Sequence, residues 1–489
     1  MKTPMKTKDK REDRFEAVIG LEVHAQLRTK SKIFCGCSTQ FVSEENVHVC
    51  PVCAGLPGTL PVLNRKAVDF AIKMALAVHC QIKETSVFAR KNYFYPDLTK
   101  GYQISQYDQP LAEEGWVEIQ TDHQSKKIRI QRVHMEEDAG KNVHGKRGSY
   151  VNLNRAGIPL IEIVSYPDLA TAGEASQFLK KLRSVLRYTG VSDGNMEEGN
   201  LRCDVNVSLR QRADMKLGIR AEVKNINSFR FVEKAIEFEI QRQAEILEGG
   251  NQVLQETRLF DANRGETFSM RSKEEAHDYR YFPEPDLISL EIEKSWIEDL
   301  RGQLPELPDE KAKRFASQYQ LPQYDAALLV QEKELAEYYE EVVNTSHQFK
   351  LAKLASNWVL TELLRIVSPD KIETSPVSSK HLGELIQLIT SGVISGKIAK
   401  TVFEKMMISR QSPKIIVEKE GLRQVSDEGV VIEAVEKVLK ERKEEVEKYK
   451  NGNEKLFGFF VGQVMKLTEG KANPALVNQI LKKKLAEKK

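Results

Sequence analysis

The stretch IGLEVHAQL (residues 19–27) decides how the N-terminal part of this chain is interpreted. Apolar and polar residues alternate along it, which is the two-residue repeat of a β-strand. One face of that strand is apolar and suits a buried core. The other face presents Glu22, His24 and Gln26. A carboxylate and an imidazole on one face indicate either a strand that lines a site or a strand with a solvated side.

The composition is that of a folded protein with several domains. The chain has 489 residues, of which 40% are hydrophobic and 30% are charged, and at roughly 150 residues per domain it should form about three domains. Its net charge of +3 restricts any nucleic-acid-binding surface to a local patch. No apolar run approaches the roughly 18 residues of a membrane span, and the charged opening lacks the apolar core of a signal peptide. We therefore expect a cytoplasmic protein with a disordered tail at 1–14.

The pattern along the chain predicts an α+β fold. Strand-like and helix-like runs alternate up to about residue 296, whereas helical periodicity dominates after QLPELPDEKAKR (303–314). The predicted domains are a large mixed α/β domain at 15–296, an all-α domain at 297–410 and a small helical tail domain at 411–489. Within the first domain we predict strands at 159–164, 202–210 and 221–226, and helices at 64–79, 173–189 and 229–248.

Four cysteines are crowded into one segment with the spacing of a zinc knuckle. The motifs CGC and CPVC supply Cys35, Cys37, Cys50 and Cys53. Four thiolates suit tetrahedral Zn²⁺, and a site closed by four protein ligands is structural. The sequence therefore predicts a structural zinc site, and four unrelated cysteines are the alternative.

A second group of residues is typical of a magnesium site. The segment VHMEEDAGK (133–141) has three consecutive carboxylates, and the predicted strands present Asp204 and Glu222 on their polar faces. Oxygen ligands with an occasional imidazole suit Mg²⁺, which usually accompanies a polyphosphate. If the strands converge, these carboxylates form one site with Glu22 and His24. If they do not converge, the acidic run is a surface turn.

Basic and aromatic residues are mixed in RKNYFYPDLTKGYQISQYD (90–108) and again in DYRYFPEPD (278–286). Basic side chains there can neutralise phosphates, and the tyrosines can stack on a base. Plain structural turns are the alternative for both segments. The lysines at 482–484 form a basic tip that is either a solvated surface or a contact for RNA phosphates.

Several catalytic motifs are absent from the sequence. It contains neither a GxxxxGK[ST] phosphate loop nor a GxSxG nucleophile elbow. With four cysteines assigned to zinc, only Cys80 and Cys203 remain as thiol nucleophiles, and neither has a recognisable setting. A self-sufficient glutaminase is therefore disfavoured.

A series of long motifs in a fixed order resembles the family formed by the B subunits of bacterial aspartyl/glutamyl-tRNA amidotransferases. These motifs are IGLEVHAQL, CPVCAGLPGTLPVLN, RKNYFYPD, GYQISQYD, HMEEDAGK, GIPLIEIV, GVSDGNMEEGNLRCDVNVSLR, EVKNINSF and DYRYFPEPD. The terminal VGQVMKLTEGKANPALVNQIL resembles the YqeY-like tail of that family. The resemblance runs from about Phe15 to the end of the chain.

The resemblance implies an ATP-dependent ligase that corrects misacylated tRNA. Such an enzyme phosphorylates the side-chain carboxylate of Glu on tRNA(Gln), of Asp on tRNA(Asn), or of both, and ammonia then displaces phosphate to give the amide. The ammonia comes from a glutaminase, the A subunit, and a small C subunit completes a heterotrimer. The implied fold is a cradle-like catalytic domain with a zinc knuckle, a helical domain and a YqeY-like tail that binds tRNA.

The resemblance also implies roles for particular residues. The expected catalytic residues are Glu22, His24, Glu136, Glu137, Glu222 and Lys224. Our hypothesis for the Mg²⁺ ligands is His24 and Glu222 with either Glu136 or Glu137, of which we assign Glu137. From the basic and aromatic segments we expect Arg90, Lys91, Tyr93 and Arg280 to bind ATP, and the resemblance adds Asn225. The alternative function is a non-catalytic, zinc-containing adaptor subunit that binds tRNA and in which the acidic motifs are structural.

Overall fold

The computed structural model describes residues 14–486, except for 122–123, 146–147, 213, 215, 273–275, 346–350, 424–427 and 469. The predicted disordered tail lies outside the described residues apart from its last position. The chain divides into two compact units, one ending at Pro308 and the other beginning at Asp309.

The first unit contains the strands of the protein, as far as the described residues show. They are β1 (Phe15–Gln26), β2 (Gln81–Ile82), β3 (Thr85–Ser86), β4 (Phe88–Asn92), β5 (Tyr102–Gln106), β6 (Ala112–Gln120), β7 (Ser125–Glu137), β8 (Lys141–Gly145), β9 (Gly148–Asn152), β10 (Pro159–Ser165), β11 (Leu201–Gln211), β12 (Ala221–Lys224), β13 (Glu256–Asp261), β14 (Glu266–Ser272), β15 (Phe282–Pro283) and β16 (Leu290–Glu291). The largest sheet has the order β14-β13-β12-β11-β1-β10-β7-β6-β2, and smaller sheets have the orders β15-β4-β5, β16-β3 and β8-β9.

Strand β1 confirms the interpretation of IGLEVHAQL and lies in the middle of the large sheet. It pairs antiparallel with β10 on one side and with β11 on the other. The register places Glu22 opposite Asp204 and His24 opposite Glu162. Because directly opposed residues share a face of a sheet, the polar side of β1 continues onto both neighbouring strands.

Helices cover the apolar face of this sheet. They are α1 (Arg65–Ala77), α2 (Ala172–Tyr188) and α3 (Phe229–Glu248), followed by α4 (Lys294–Gly302). The first three match the predicted helices to within two residues. Each begins at a side-chain cap, since Asn64, Thr171 and Ser228 accept hydrogen bonds from backbone N–H groups of the first turn. Residues of these helices share one core with the inward residues of β1.

A buried ionic network joins α3 to the edge of the sheet. Glu239 has no exposed surface, and its carboxylate lies 2.8 Å from Arg242 Nη2 and 2.9 Å from Arg258 Nε. The Thr267 hydroxyl donates a further hydrogen bond to it. The network fixes α3 on the side of β13 and β14 that faces the core.

The second unit is helical throughout its described residues, as predicted. Its helices are α5 (Pro308–Gln318, which begins at the unit boundary), α6 (Gln323–Leu329), α7 (Lys333–Thr345), α8 (Ala352–Asn357), α9 (Ser379–Thr390), α10 (Gly396–Ser409), α11 (Pro413–Lys419), α12 (Glu428–Glu441), α13 (Lys443–Lys450), α14 (Leu456–Leu467) and α15 (Pro474–Ala486), with a π-helical segment at Trp358–Leu363 and a 3₁₀ segment at Pro369–Thr374. The last four α-helices share a core that includes Val435, Phe460 and Leu481. In the described part of the chain, no helix has both the length and the apolar character needed to cross a membrane.

Candidate active site

Three carboxylates meet on the polar face of the large sheet. We call Glu22, Asp204 and Glu222 the acidic triad, and one oxygen of each lies within 4.8 Å of the others. The sheet register brings them together, since Glu22 is opposite Asp204 and Glu222 is opposite Asn206. Asn206 Nδ2 donates a hydrogen bond of 2.9 Å to Glu22 Oε1. The convergence of these predicted strands is therefore observed.

Lys224 places a positive charge beside the acidic triad. Its ammonium group donates a hydrogen bond to Asp204 and lies 3.2 Å from Glu222 Oε1. Burial, and then the negative charges of Glu162, Glu222 and Asp204, raise the pKa of Glu22. The site thus disfavours a further negative charge, and a divalent cation among these oxygens would remove that cost.

A second group lies next to the triad because His24 is two residues from Glu22 on the same strand. We call His24, Glu136 and Glu162 the histidine cluster, and one ligand atom of each lies within 4.8 Å of the others. His24 Nδ1 is 3.2 Å from Glu136 Oε1 and 3.9 Å from Glu162 Oε2. His134 Nε2 lies 3.2 Å from Glu162 Oε2 on the far side.

The charges of the histidine cluster are strongly coupled. Burial opposes protonation of His24, but Glu162 and Glu136 outweigh it and raise the pKa of His24 to about 9. Burial likewise opposes ionisation of Glu162, but His134 and His24 outweigh it and hold its pKa well below the usual range. Without a metal ion the cluster is therefore held together by an imidazolium between carboxylates, and a cation bound there would take the place of the proton.

Lys91 extends from β4 to the histidine cluster. Burial disfavours its charged form, but Tyr281, Glu136 and Glu162 outweigh burial and raise the pKa of Lys91. Its ammonium lies 4.8 Å from the ring centroid of Tyr279 and 5.9 Å from that of Tyr93. Lys91 is thus a cation in a largely aromatic setting beside two carboxylates.

Asp138 closes the polar face at the end of β7. It accepts hydrogen bonds of 2.7 Å from Gln26 Nε2 and 2.9 Å from Arg202 Nη2. Burial raises its pKa, but the Arg202 and Arg155 charges lower it further, so the net pKa is depressed. Asp138 therefore has its own basic partners and stands apart from the two metal-ligand groups.

Glu137 lies away from the polar face. Lys100 Nζ contacts both of its carboxylate oxygens, at 2.7 and 2.8 Å, and the Ile104 N–H donates a hydrogen bond of 2.9 Å. The structure therefore does not bring together the predicted Mg²⁺ ligands His24, Glu137 and Glu222. Successive residues of a strand point to opposite faces, so only one of Glu136 and Glu137 can accompany His24, and that residue is Glu136.

Glu137 faces a small cavity instead. The cavity has a volume of about 40 Å³, and its lining includes Cys35, Cys53, Lys100, Ile104, Glu137 and Asp286. Glu137 thus lines the same cavity as two cysteines of the knuckle.

The residues predicted to bind ATP are distributed unevenly. Arg90 is held by Glu284 through two hydrogen bonds of 2.8 Å and by Asp286 through one of 3.2 Å. It points to the face of β4 opposite Lys91, so the predicted role of Arg90 against phosphate has no support from its geometry. Tyr93 accompanies Lys91.

Asn225 and Arg280 both have left-handed backbones, with φ of 66° and 45°. Asn225 directly follows Lys224, and its Nδ2 donates a hydrogen bond of 3.2 Å to the Phe260 carbonyl. The Arg280 carbonyl accepts a hydrogen bond of 2.9 Å from Asn92 Nδ2, and its side chain is exposed. Asn225 therefore lies at the margin of the triad, whereas Arg280 adjoins β4.

The four cysteines of the predicted knuckle cluster as a metal site requires. Their four sulfur atoms all lie within 4.8 Å of one another. A hydrogen bond from Cys35 and the positive charge of Lys32 lower the pKa of Cys53 to about 4. Lys32 is fully buried, and its Nζ lies 3.4 Å from Cys53 Sγ. Cys53 is thus a thiolate at neutral pH beside a fixed countercharge, whereas a hydrogen bond to Cys53 raises the pKa of Cys35 and burial raises that of Cys37 to about 11.

Two residues of the site were not among those predicted. Glu162 interrupts the otherwise apolar run PLIEIV, and a lone carboxylate there was the available signal. His134 is two residues before Glu136 and therefore shares its face, so the same alternation that describes β1 identifies it.

The fold and the site define an enzyme subunit with a catalytic domain followed by a helical region, and two family models match the chain in that order. The GatB/GatE catalytic domain matches residues 17–298, and the GatB domain matches residues 337–485.

Similar proteins extend over nearly the whole chain. The B subunit of the aspartyl/glutamyl-tRNA(Asn/Gln) amidotransferase of Persephonella marina is 57% identical, with 96% of this chain and 99% of that protein covered. The proteins of the same name from Thermodesulfovibrio yellowstonii and Trichlorobacter lovleyi are each 55% identical, with 97% of this chain and 100% of the relative covered. The chain belongs to the GatB/GatE family, which confirms the resemblance drawn from the motifs.

Proposed function

We propose that this chain, as the B subunit of a tRNA-dependent amidotransferase and hence part of a ligase, activates the side-chain carboxylate of a misacylated tRNA. The substrates are Glu-tRNA(Gln), Asp-tRNA(Asn) or both, and the phosphate donor is ATP. The names of the relatives support the reaction class. The observation that supports the chemistry best is the position of the acidic triad beside the histidine cluster, both built on β1.

The residues present fit Mg²⁺. The acidic triad offers three oxygens, and the raised pKa of Glu22 reflects an excess of negative charge that a cation would balance. The histidine cluster offers two carboxylates and an imidazole. Bound Mg²⁺ neutralises phosphate charge during phosphoryl transfer and orients the reacting oxygens. Glu137 is not part of this site, because Lys100 holds its carboxylate elsewhere.

Two lysines at opposite ends of the site bind different substrate groups. Lys224 is next to the triad and offsets the charge of the ATP phosphates, whereas Lys91 is next to the histidine cluster and attracts the acceptor carboxylate. A carboxylate oxygen attacks the γ-phosphorus, the bond to the β-phosphate oxygen breaks, and ADP leaves. The product is an acyl phosphate on the tRNA-bound amino acid, which has a good leaving group that the carboxylate lacked.

The second step is amidation by ammonia supplied from outside this chain. Ammonia attacks the acyl carbon, inorganic phosphate leaves, and the nitrogen loses a proton. Cys80 and Cys203 do not suit glutamine hydrolysis, since burial raises the pKa of Cys80 to about 12 and raises that of Cys203 as well. The chain therefore works with a glutaminase, the A subunit, and with a small C subunit, while its helical tail contacts the tRNA.

Zinc is proposed as a structural ion in the cysteine cluster. Four sulfurs around one point suit tetrahedral Zn²⁺, and the Lys32 ammonium reduces the net negative charge of a tetrathiolate complex. The cluster leaves no open ligand position, so it takes no direct part in the transfer.

The proposal is tested by looking for the intermediate. The complex assembled with the A and C subunits is incubated with Glu-tRNA(Gln) and γ-labelled ATP but without glutamine or ammonia. We expect label on the tRNA-bound glutamate, and we expect Asp204→Asn to abolish it while the complex still assembles.

Glu237→Gln serves as the control, because Glu237 is exposed on α3 and remote from the polar face. If the wild-type complex shows no labelled intermediate in this incubation yet forms amide once glutamine is added, the adaptor function replaces the catalytic one. If Asp204→Asn labels as well as wild type, the triad is not the phosphoryl-transfer site.

A further inference from the structure

Two apolar side chains are exposed on the sheet face directly beside Lys224. Leu259 on β13 is opposite Lys224 on β12, and Phe268 on β14 is opposite Leu259. Their exposed fractions are 37% and 38%. We call Leu259 and Phe268 the edge platform. It continues the face that carries the acidic triad, toward the edge of the sheet.

The edge platform lies on the face of the sheet that points away from the core. The residues that alternate with it, Phe260 and Thr267, are buried and point to the opposite face, where α3 packs. Leu259 and Phe268 therefore stand on the same side as Lys224. Their position next to a charged site makes these two apolar groups available to the apolar part of a ligand bound there.

Arg264 adds a second planar group to the platform. Its guanidinium lies 5.4 Å from the ring centroid of Phe268. An aromatic ring with an adjacent guanidinium is the combination on which nucleic-acid bases stack. The platform therefore has the chemistry of a base-binding surface.

The spacing along the sheet relates the platform to the phosphates. Two strand separations of about 4.8 Å each place β14 roughly 10 Å from β12, which carries Lys224 and Glu222. The histidine cluster and Lys91 lie farther away on the other side of the triad. A nucleotide whose base lay on the platform would thus direct its phosphates through Lys224 toward the triad, with the acceptor carboxylate beyond.

We infer that the edge platform binds the purine base of ATP and so fixes the nucleotide with its phosphates over Lys224 and the acidic triad. The inference rests on the proposed function, because it names where the phosphate donor is held. We assign the platform to the base of ATP and not to the terminal base of the tRNA. The platform is adjacent to Lys224, which faces the ATP phosphates, and it is distant from Lys91, which faces the acceptor carboxylate.

The test uses the complex assembled with the A and C subunits and compares three ligands. Phe268→Ala is expected to raise the KM for ATP about tenfold, the effect of losing one stacked base. The KM for Glu-tRNA(Gln) should stay the same. Inhibition by inorganic tripolyphosphate, which has the phosphates without a base, should also stay the same.

Two further variants separate base binding from loss of structure. Phe268→Tyr keeps the ring and should keep the wild-type KM for ATP, whereas Ile288→Ala removes an exposed apolar side chain outside the platform and should change none of the three values. The inference is overturned if Phe268→Ala leaves the KM for ATP unchanged, weakens tripolyphosphate equally, or raises the KM for the tRNA instead. Failure of the proposed function itself would differ, because the wild-type complex would then form no labelled intermediate.

Discussion

Glu136 and Glu137 are neighbours in the chain, yet their carboxylates serve opposite sides of β7. Glu136 Oε1 lies 3.2 Å from His24 Nδ1, whereas Glu137 accepts hydrogen bonds from Lys100 and from the Ile104 N–H. Two residues of the same chemistry are therefore expected to have different functions.

Replacement of these two residues should separate the functions. We expect Glu136→Gln to lower ATP-dependent labelling of Glu-tRNA(Gln) by about 100-fold, a size typical of residues that support a metal site. Glu137→Gln should leave labelling near the wild-type level, because its carboxylate does not face the triad or His24. Single-turnover labelling in the assembled complex measures both. Equal loss in the two variants would contradict the assignment of opposite sides.

The pKa of His24 predicts a pH dependence of stability. Its folded-state pKa is about 9, against an ordinary value of 6.5. A raised pKa means that the folded state binds the proton more tightly, so this contribution is complete below about pH 6.5 and is lost as the pH rises through about 9. The melting temperature of the chain in magnesium-free buffer should fall across that interval. His24→Gln should flatten this part of the profile, and an unchanged slope in the variant would assign the effect to other groups.

Removal of one knuckle ligand should affect zinc more than chemistry. Cys50→Ser is expected to lower the zinc content of the purified protein and its melting temperature, while phosphorylation of Glu-tRNA(Gln) is reduced less. Metal analysis and thermal unfolding measure the two effects. Cys80→Ala is the matched control, because Cys80 is outside the cluster and should leave the zinc content unchanged. Full zinc content in Cys50→Ser would refute the four-thiolate site.

The buried network at α3 predicts a large loss of stability. Glu239→Gln leaves Arg242 and Arg258 without their shared buried carboxylate, and breaking a buried ion pair in this way typically costs about 3–5 kcal/mol. Glu237→Gln on the exposed side of the same helix should change the free energy of unfolding by no more than about 0.5 kcal/mol. Denaturant unfolding of the full chain, followed by a local probe on α3, compares them. Similar values for both variants would show that the network is not stabilising.

The elements that define the fold were predictable because their signals are local. Alternation identified β1, and the cap residues together with helical periodicity placed α1, α2 and α3 to within two residues. The cysteine cluster was also predictable, because its four ligands lie within one short segment.

The residues that form the candidate site were only partly predictable. Which side chains meet depends on the register between strands that are far apart in the sequence. The segment that carries Glu136 and Glu137 was not predicted as a strand, so the sequence did not show that the two side chains diverge or which of them faces His24. The sequence also did not show that Arg90 and Lys91 face different partners. On β4, Arg90 faces Glu284 and Lys91 faces the histidine cluster. Glu162 stood out in the sequence as a lone carboxylate in an apolar run, but its partner His24 is given only by the strand register.

The central position of β1 determines how local unfolding affects the candidate site. Glu22 and His24 are held by a strand that is hydrogen-bonded on both sides and backed by the main core. Amide protons of this strand should therefore be among the last in the first unit to exchange with deuterated solvent. Glu22 and His24 should therefore keep their relative positions during local unfolding at the periphery of the first unit. They should lose them only when the whole unit unfolds.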